Sequence, residues 1–378
     1  MSVVGFSRCR LKEALRRFHR DRNLGHASRK NSAIVNLKKR RVIAMETPKS
    51  NQRLPNPVLI RDLYDLYYVM GTSGDGQDSS HWREYSKKVR FRLDETGLPV
   101  EMSGYGFGDL EVRSWPYRVL CLLGMLSYLA MLPGRRDLIR IMRVAWPLCR
   151  RMGLSFALDA FRQVCSLSLI ERYLSPARRE RKLRIIIIGD GYGLLASLFK
   201  ERFPNSTIVL VDLGRVSIFQ AYYCQKAHPG TVHRSVLDRG EVDLTKCDFV
   251  YCPAEFLSNV SQLTYDVSVN IASMQEMTTK SLIDYFQFLR QQMETAGLFY
   301  CCNRERKVLV GGEVQEFSHY PWHARDVHLV DERCPWQKYY FAFITTADGP
   351  RLFGLRIPFV NYYDGPTRHR LTQLYRAE

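Results

Sequence analysis

At 378 residues, with 46% hydrophobic and 25% charged side chains, the chain is long enough for one large or two modest domains and is no low-complexity polymer. The net charge of +18 invites a nucleic-acid reading, but residues 1–60 hold 15 Lys/Arg against three Asp/Glu, leaving 41 basic and 35 acidic groups elsewhere, which excludes a uniformly basic body. Ten cysteines without a CxxC pair exclude a zinc-ribbon pattern and read as free thiols of a reducing cytosol.

In chain order, residues 1–55 read as a basic, disordered tail ending in "PKSNQRLPNP". They lack the apolar core and cleavage site of a secretory signal, and Met45 offers an alternative start. Residues 56–180 read as a mostly helical region. "VLIRDLYDLYYVM" has helical spacing, and "GTSGDGQDSSHW" reads as a loop. "VLCLLGMLSYLAML", Val119–Leu132, is too short to span a bilayer and reads as a buried helix, or else as one lying on a membrane beside "GRRDLIRIMR". Apolar residues then recur at helical intervals to Tyr173, and "SPARRERK" reads as a solvated linker.

From residue 181 to 378 the pattern becomes β/α alternation: "LRIIIIG", "STIVLVDL", "CDFVYC", "YDVSVNIA", "GLFYCC". Mostly apolar strands imply a parallel sheet covered on both faces, a doubly wound α/β fold. "KYYFAFIT" and "LFGLRIPF" have no helix between them and read as an antiparallel edge hairpin.

The turn after the first of these strands carries Gly189, Gly191 and Gly193. Leu194 stands where a dinucleotide fingerprint has its third glycine, and no Gly-Lys-Ser/Thr follows for a triphosphate. S-adenosylmethionine, which has no phosphate, fits such a turn better. The expected cofactor contacts are Gly189, Asp190, Gly191, Tyr192 and Gly193, then Asp212 and Leu213 ending the next strand, Ala254, Glu255 and Asn270. Asp212 lies 23 residues after Gly189, where a carboxylate can accept both ribose hydroxyls, a geometry that serves NAD as well; the alternative is an Asp that caps the next helix.

Polar residues close the next strands: Ser273, Gln275 and Glu276 after one, Asn303 and Arg304 after another. "EFSHYPWHARDVHLVDERCPW" adds His319, Tyr320, Trp322 and His323, flat rings beside polar groups that suit a sugar. The substrate contacts expected are Ser273, Gln275, Asn303, Arg304, Tyr320 and Trp322. The alternative for this stretch is a partly buried β-hairpin with incidental histidines.

On "IGDGYG", "VDL" followed by "AYY", "VNIASMQEM", "NRERK" and "YPW", over Leu183–Tyr363, the chain resembles the sugar O-methyltransferases of bacterial surface-polysaccharide pathways. The resemblance implies a seven-stranded class I methyltransferase sheet and the cofactor S-adenosyl-L-methionine. One departure is Ile187, where class I enzymes usually carry an acid; Asp190 is the expected substitute. The chemistry expected is in-line methyl transfer to a sugar hydroxyl with a general base, taken as His319, with Glu276 and His323 as the other candidates. No cluster has strong metal-ligand spacing, while Glu276 and the histidines could still converge in space on a divalent ion. The expected partners are a sugar or glycan acceptor and, through the tail, an anionic membrane at the inner face of the cell. Two rivals are a nucleic-acid methyltransferase using the tail and an inactive membrane-surface scaffold of a glycan-assembly complex.

Overall fold

The computed structural model describes residues 55–69, 79–86, 89–103, 108–111, 114–131, 135–236, 243–341, 349–363 and 365–376. The proposed tail, apart from Pro55, lies outside the described residues. Helix α1 spans Pro57–Val69 and α2 Ser80–Ser86, followed by an antiparallel pair, β1 (Arg90–Leu93) and β2 (Pro99–Ser103). That pair is not evident in the sequence pattern. Helices α3 (Trp115–Met131), α4 (Arg135–Met152) and α5 (Leu158–Tyr173) follow. "SPARRERK" is exposed but anchored. Ser175 caps a one-turn helix, α6 (Pro176–Glu180), while Arg178 donates to the Ala296 carbonyl and Arg181 pairs with Asp266.

The main sheet is built from β3 (Arg184–Ile188), β4 (Thr207–Asp212), β5 (His233–Ser235), β6 (Phe249–Pro253), β7 (Tyr265–Ile271) and β8 (Met293–Arg304), all parallel. Helices α7 (Leu194–Arg202), α8 (Gly214–Ala227) and α9 (Thr279–Gln292) make the crossovers. Beyond them lie β9 (Arg306–Val308), β10 (Val314–Glu316), β11 (Val327–Arg333), β12 (Tyr339–Phe341), β13 (Arg351–Leu352), β14 (Leu355–Arg356), β15 (Val360–Tyr362) and β16 (Thr367–Gln373). The sheet order is β11-β16-β8-β7-β3-β4-β6-β5, with β16 and β11 antiparallel.

Two expectations are thereby corrected. The sheet has eight strands, not seven, because the three-residue β5 extends its edge. The antiparallel edge is not the expected hairpin. β12 pairs with β15 and β13 with β14, each in a two-stranded sheet of its own. Residues 342–345 of the expected strand lie outside the described residues. The edge pair β11–β16 is polar in sequence and joined by residues far apart. Asp331 holds Arg368 and Arg370 across it, a charge ladder that suits a half-exposed edge.

Four consecutive isoleucines form β3 because β-branched side chains suit a strand covered on both faces. Alternation divides them. Ile185 and Ile187 join the core with α3, α4, α5, α7 and α8, and Ile186 and Ile188 join the core with α9. The helices of residues 56–180 share the first core with the sheet, from Leu59 to Leu371. The nine described cysteines are free and buried. Among the described residues no helix is long and apolar enough to cross a membrane.

Candidate active site

The chain leaves β3 toward β4, β5 and β6, then returns to the other side of β3 as β7. That reversal opens a crevice at the carboxyl ends of β3 and β7, where open α/β sheets place ligands. The turn after β3 fills it with bare backbone. Gly189 has φ 79°, and a β-carbon there would lie 2.1 Å from the Ser273 hydroxyl. Gly193 starts α7 in the left-handed region, φ 74°, against Cys224. Opposite, Ala272 is held at φ 60°, strain that marks the turn after β7 as tightly constrained.

Two clefts meet on this shelf, sharing Trp82, Gly189, Asp212 and Ser273. The smaller, about 260 Å³, is lined by Leu213, Ala254, Glu255, Leu257, Met277 and Tyr285 around Asp212. The Asp212 carboxylate accepts from the Leu213 amide (2.9 Å) and from Gln220 Nε2 (2.8 Å). Burial lifts its pKa to about 7, helped by the nearby Asp190 charge and opposed by the Leu213, Gly191 and Gln220 donors. Asp190 is also raised to about 7 by burial. Its oxygens accept from the Leu195 and Ala196 amides at the start of α7, so the carboxylate expected to replace the acid missing at Ile187 is committed to capping a helix.

The larger cleft, about 360 Å³, is walled by His81, Trp82 and Tyr85 of α2, Asp159 and Arg162 of α5, the shelf, residues 271–273, Gln275, Glu276, Arg304, Lys307 and Tyr363. Glu276 pairs with Lys307 and lies 3.4 Å from His81 Nε2, and the His81 ring stacks on Tyr85 at 4.5 Å. The buried Arg162 is held by Asp159 (2.8 Å) and by the Trp336 and Tyr339 carbonyls. Its guanidinium and that of Arg304 lie 4.8 and 5.2 Å from the centre of the Tyr363 ring, cation–π contacts that fix this wall. No group of three His, Cys, Asp or Glu among the described residues could hold a metal ion.

Of the expected cofactor contacts, Gly189, Asp190, Gly191, Tyr192, Asp212, Leu213, Ala254 and Glu255 line one cleft or the other. Gly193 and Asn270 do not. Gly193 packs on α8, and Asn270 is fully buried. Asn270 Nδ2 donates to the Ile188 carbonyl (2.9 Å), and its Oδ1 accepts from Asn303 Nδ2 (2.8 Å). Asn303, expected to touch substrate, likewise supports the rim, accepting from the Gln275 amide. Ser273, Gln275, Glu276 and Arg304 line the larger cleft.

The remaining expected residues lie outside the two clefts. His319 is 78% exposed on a short turn beside Glu316, outside both clefts. His323 is exposed and stacks on Tyr375. Tyr320 and Trp322 pack on Phe286 and Phe317 in the α9 core, so "YPW" is a packing motif of that face. Sequence reasoning missed His81, Arg162 and Tyr363. The only local signal for the first is the run of rings, His81, Trp82 and Tyr85, after a Gly/Ser-rich stretch.

No protein-family model matches the sequence, and no curated protein does. Among solved structures the chain is similar to TrmN from Thermus thermophilus (11% identity, TM-score 0.32, 56% of this chain and 48% of that one). It is also similar to a TehB-like SAM-dependent methyltransferase from Corynebacterium glutamicum (11%, 0.34, 55% and 86%). A third is SAM-bound CalS10, an amino pentose methyltransferase from Micromonospora echinaspora (12%, 0.27, 37% and 50%). The chain spans about half the length of the first and third of these.

Proposed function

We propose that the chain is an S-adenosylmethionine-dependent O-methyltransferase of the class I type, acting on a sugar hydroxyl of a glycan or activated sugar. The observation that carries this reading is the position of Asp212. It ends β4 where the two clefts join, beside the backbone of Gly189, which lines both. The smaller cleft suits a nucleoside: apolar Leu213, Leu257 and Met277 for a flat base, and Asp212 for the ribose hydroxyls. The larger cleft suits a sugar, with Trp82, Tyr85 and Tyr363 rings for C–H faces and Gln275, Arg304 and Glu276 for hydroxyls.

Bound there, the cofactor would supply an electrophilic methyl group on a sulfonium. The protein's share is alignment and proton removal. In this reading His81 replaces His319 as the base. Its Nε2 lies 3.4 Å from Glu276 in the larger cleft, and its ring is the group that takes the acceptor's hydroxyl proton. Glu276 orients the ring and offsets the charge it gains, and Lys307 fixes Glu276 in turn.

The test is direct. Purified chain is titrated calorimetrically with S-adenosylhomocysteine, then incubated with isotope-labelled S-adenosylmethionine and a panel of nucleotide sugars and glycan intermediates. Label recovered in a sugar ether supports the reading. Binding of a nicotinamide dinucleotide with no binding of either sulfur compound overturns it.

A further inference from the structure

Away from the clefts, α3 and α4 are consecutive helices in contact with each other, and each bears an unusual outer face. On α3, Trp115, Val119, Leu122, Leu123 and Leu126 are exposed, Trp115 by 74% and Leu123 by 60%. Their spacing puts them on one side of the helix. Cys121, Met125 and Tyr128 face the core on the other. So many large apolar groups on one helix exceed the scattered exposure of an ordinary surface.

On α4 the outward residues are Arg136, Ile139, Arg140, Arg143, Trp146 and Arg150, again at helical spacing. Together the two helices contain seven arginines and a single acid, Asp137. Arg140 is paired with Asp137 and Glu171, and Arg151 with Glu201. Arg136, Arg143 and Arg150 have no such partner among the described residues.

We propose that this surface docks on an anionic phospholipid bilayer, with α3 lying in the interface and the α4 arginines on lipid phosphates. Charge complementarity selects the occupant: guanidinium groups match phosphate in a bidentate fork, and exposed tryptophans at 74% and 51% suit the headgroup level. The surface is coupled to the larger cleft. Tyr117 of α3 donates to Asp109, whose neighbours Gly108 and Leu110 line that cleft, and Tyr128 accepts from the Tyr339 amide. The proposal stands independently of methyl transfer.

The test is flotation of the full chain with phosphatidylcholine vesicles, with and without phosphatidylglycerol. Two variants are compared, Leu122→Ser/Leu126→Ser and Arg136→Gln/Arg143→Gln/Arg150→Gln, each checked for wild-type melting. The wild type should float only with the anionic vesicles. At about fivefold per arginine, the triple variant should lose on the order of 100-fold in partitioning. The serine variant should lose roughly tenfold. Three outcomes overturn the proposal. One is a wild type that stays with the buffer. Another is a pair of variants that float as the wild type does, which would assign lipid binding to residues 1–54. The last is a wild-type dimer that only the serine variant makes monomeric, which would give the face to a second copy.

Discussion

Asp212→Asn should separate stability from binding in one substitution. Burial moves the Asp212 pKa from 3.8 to about 7 in the folded chain. Between those values the folded protein keeps a proton that the unfolded chain has released. Its stability therefore falls as pH rises through that interval and levels off above it. The full displacement corresponds to about 4 kcal/mol, which relaxation and water entry reduce to about 2 kcal/mol. Asparagine removes this penalty and keeps the local bonds. Its Oδ1 still accepts from Leu213, and Gln220 can turn its buried Oε1, which has no partner now, toward the new Nδ2. The apo variant should thus melt several degrees above the wild type at alkaline pH. The two should converge as pH falls to the ordinary carboxylate range. The same change removes a charged acceptor for the ribose, and affinity for S-adenosylhomocysteine should drop roughly 10- to 100-fold by calorimetry. The reasoning is refuted if the variant melts at or below the wild type above neutral pH. Wild-type affinity in the variant would remove Asp212 from the ligand.

Three further outcomes are expected. His81→Gln should lower turnover by roughly 10²- to 10⁴-fold while calorimetry finds S-adenosylhomocysteine affinity unchanged, whereas Glu276→Gln should cost less and shift the pH–rate profile. His319→Ala and His323→Ala, both at exposed positions outside the clefts, should turn over at the wild-type rate in the same assay. Gly189→Ala places a β-carbon on Ser273 at a φ of 79°; it should lower stability by about 2 kcal/mol or more in a melting experiment and abolish S-adenosylhomocysteine binding.

The parallel half of the sheet was legible because its signal is local. Ile185–Ile188 and Ile208–Val211 are apolar on both faces, and only buried strands read that way. Asp212 was legible from its distance to the glycine turn. The edge strands were not, because β11 and β16 carry their charges on a face where Asp331, Arg368 and Arg370 pair with one another across 37 residues or more. Nor were His81, Arg162 and Tyr363, which arrive at one cleft from α2, α5 and the segment after β15. Their proximity is tertiary and leaves no spacing to read. The "YPW" stretch shows the converse. Rings among polar residues look the same in a sugar site and in a packed corner, and Phe286 and Phe299 decide for the corner.

The two buried asparagines explain how the clefts keep their shape. Asn270 and Asn303 end adjacent strands and are fully buried, where an unpaired amide would be costly. Each is instead tied sideways. Asn270 binds the Ile188 carbonyl of β3 and the Met274 amide, Asn303 binds Asn270 and the Gln275 amide, and Gln275 Oε1 accepts from the Arg304 amide at 2.7 Å. The chain of amides runs from the strand that makes the glycine shelf to the residues that wall the larger cleft. A satisfied polar network of this kind admits few alternative arrangements. It therefore fixes the shelf, the strained turn at Ala272 and the Glu276–Lys307 pair relative to one another before any ligand arrives. The in-line transfer proposed above depends on the spacing of donor and acceptor, and this network would supply the rigidity it needs.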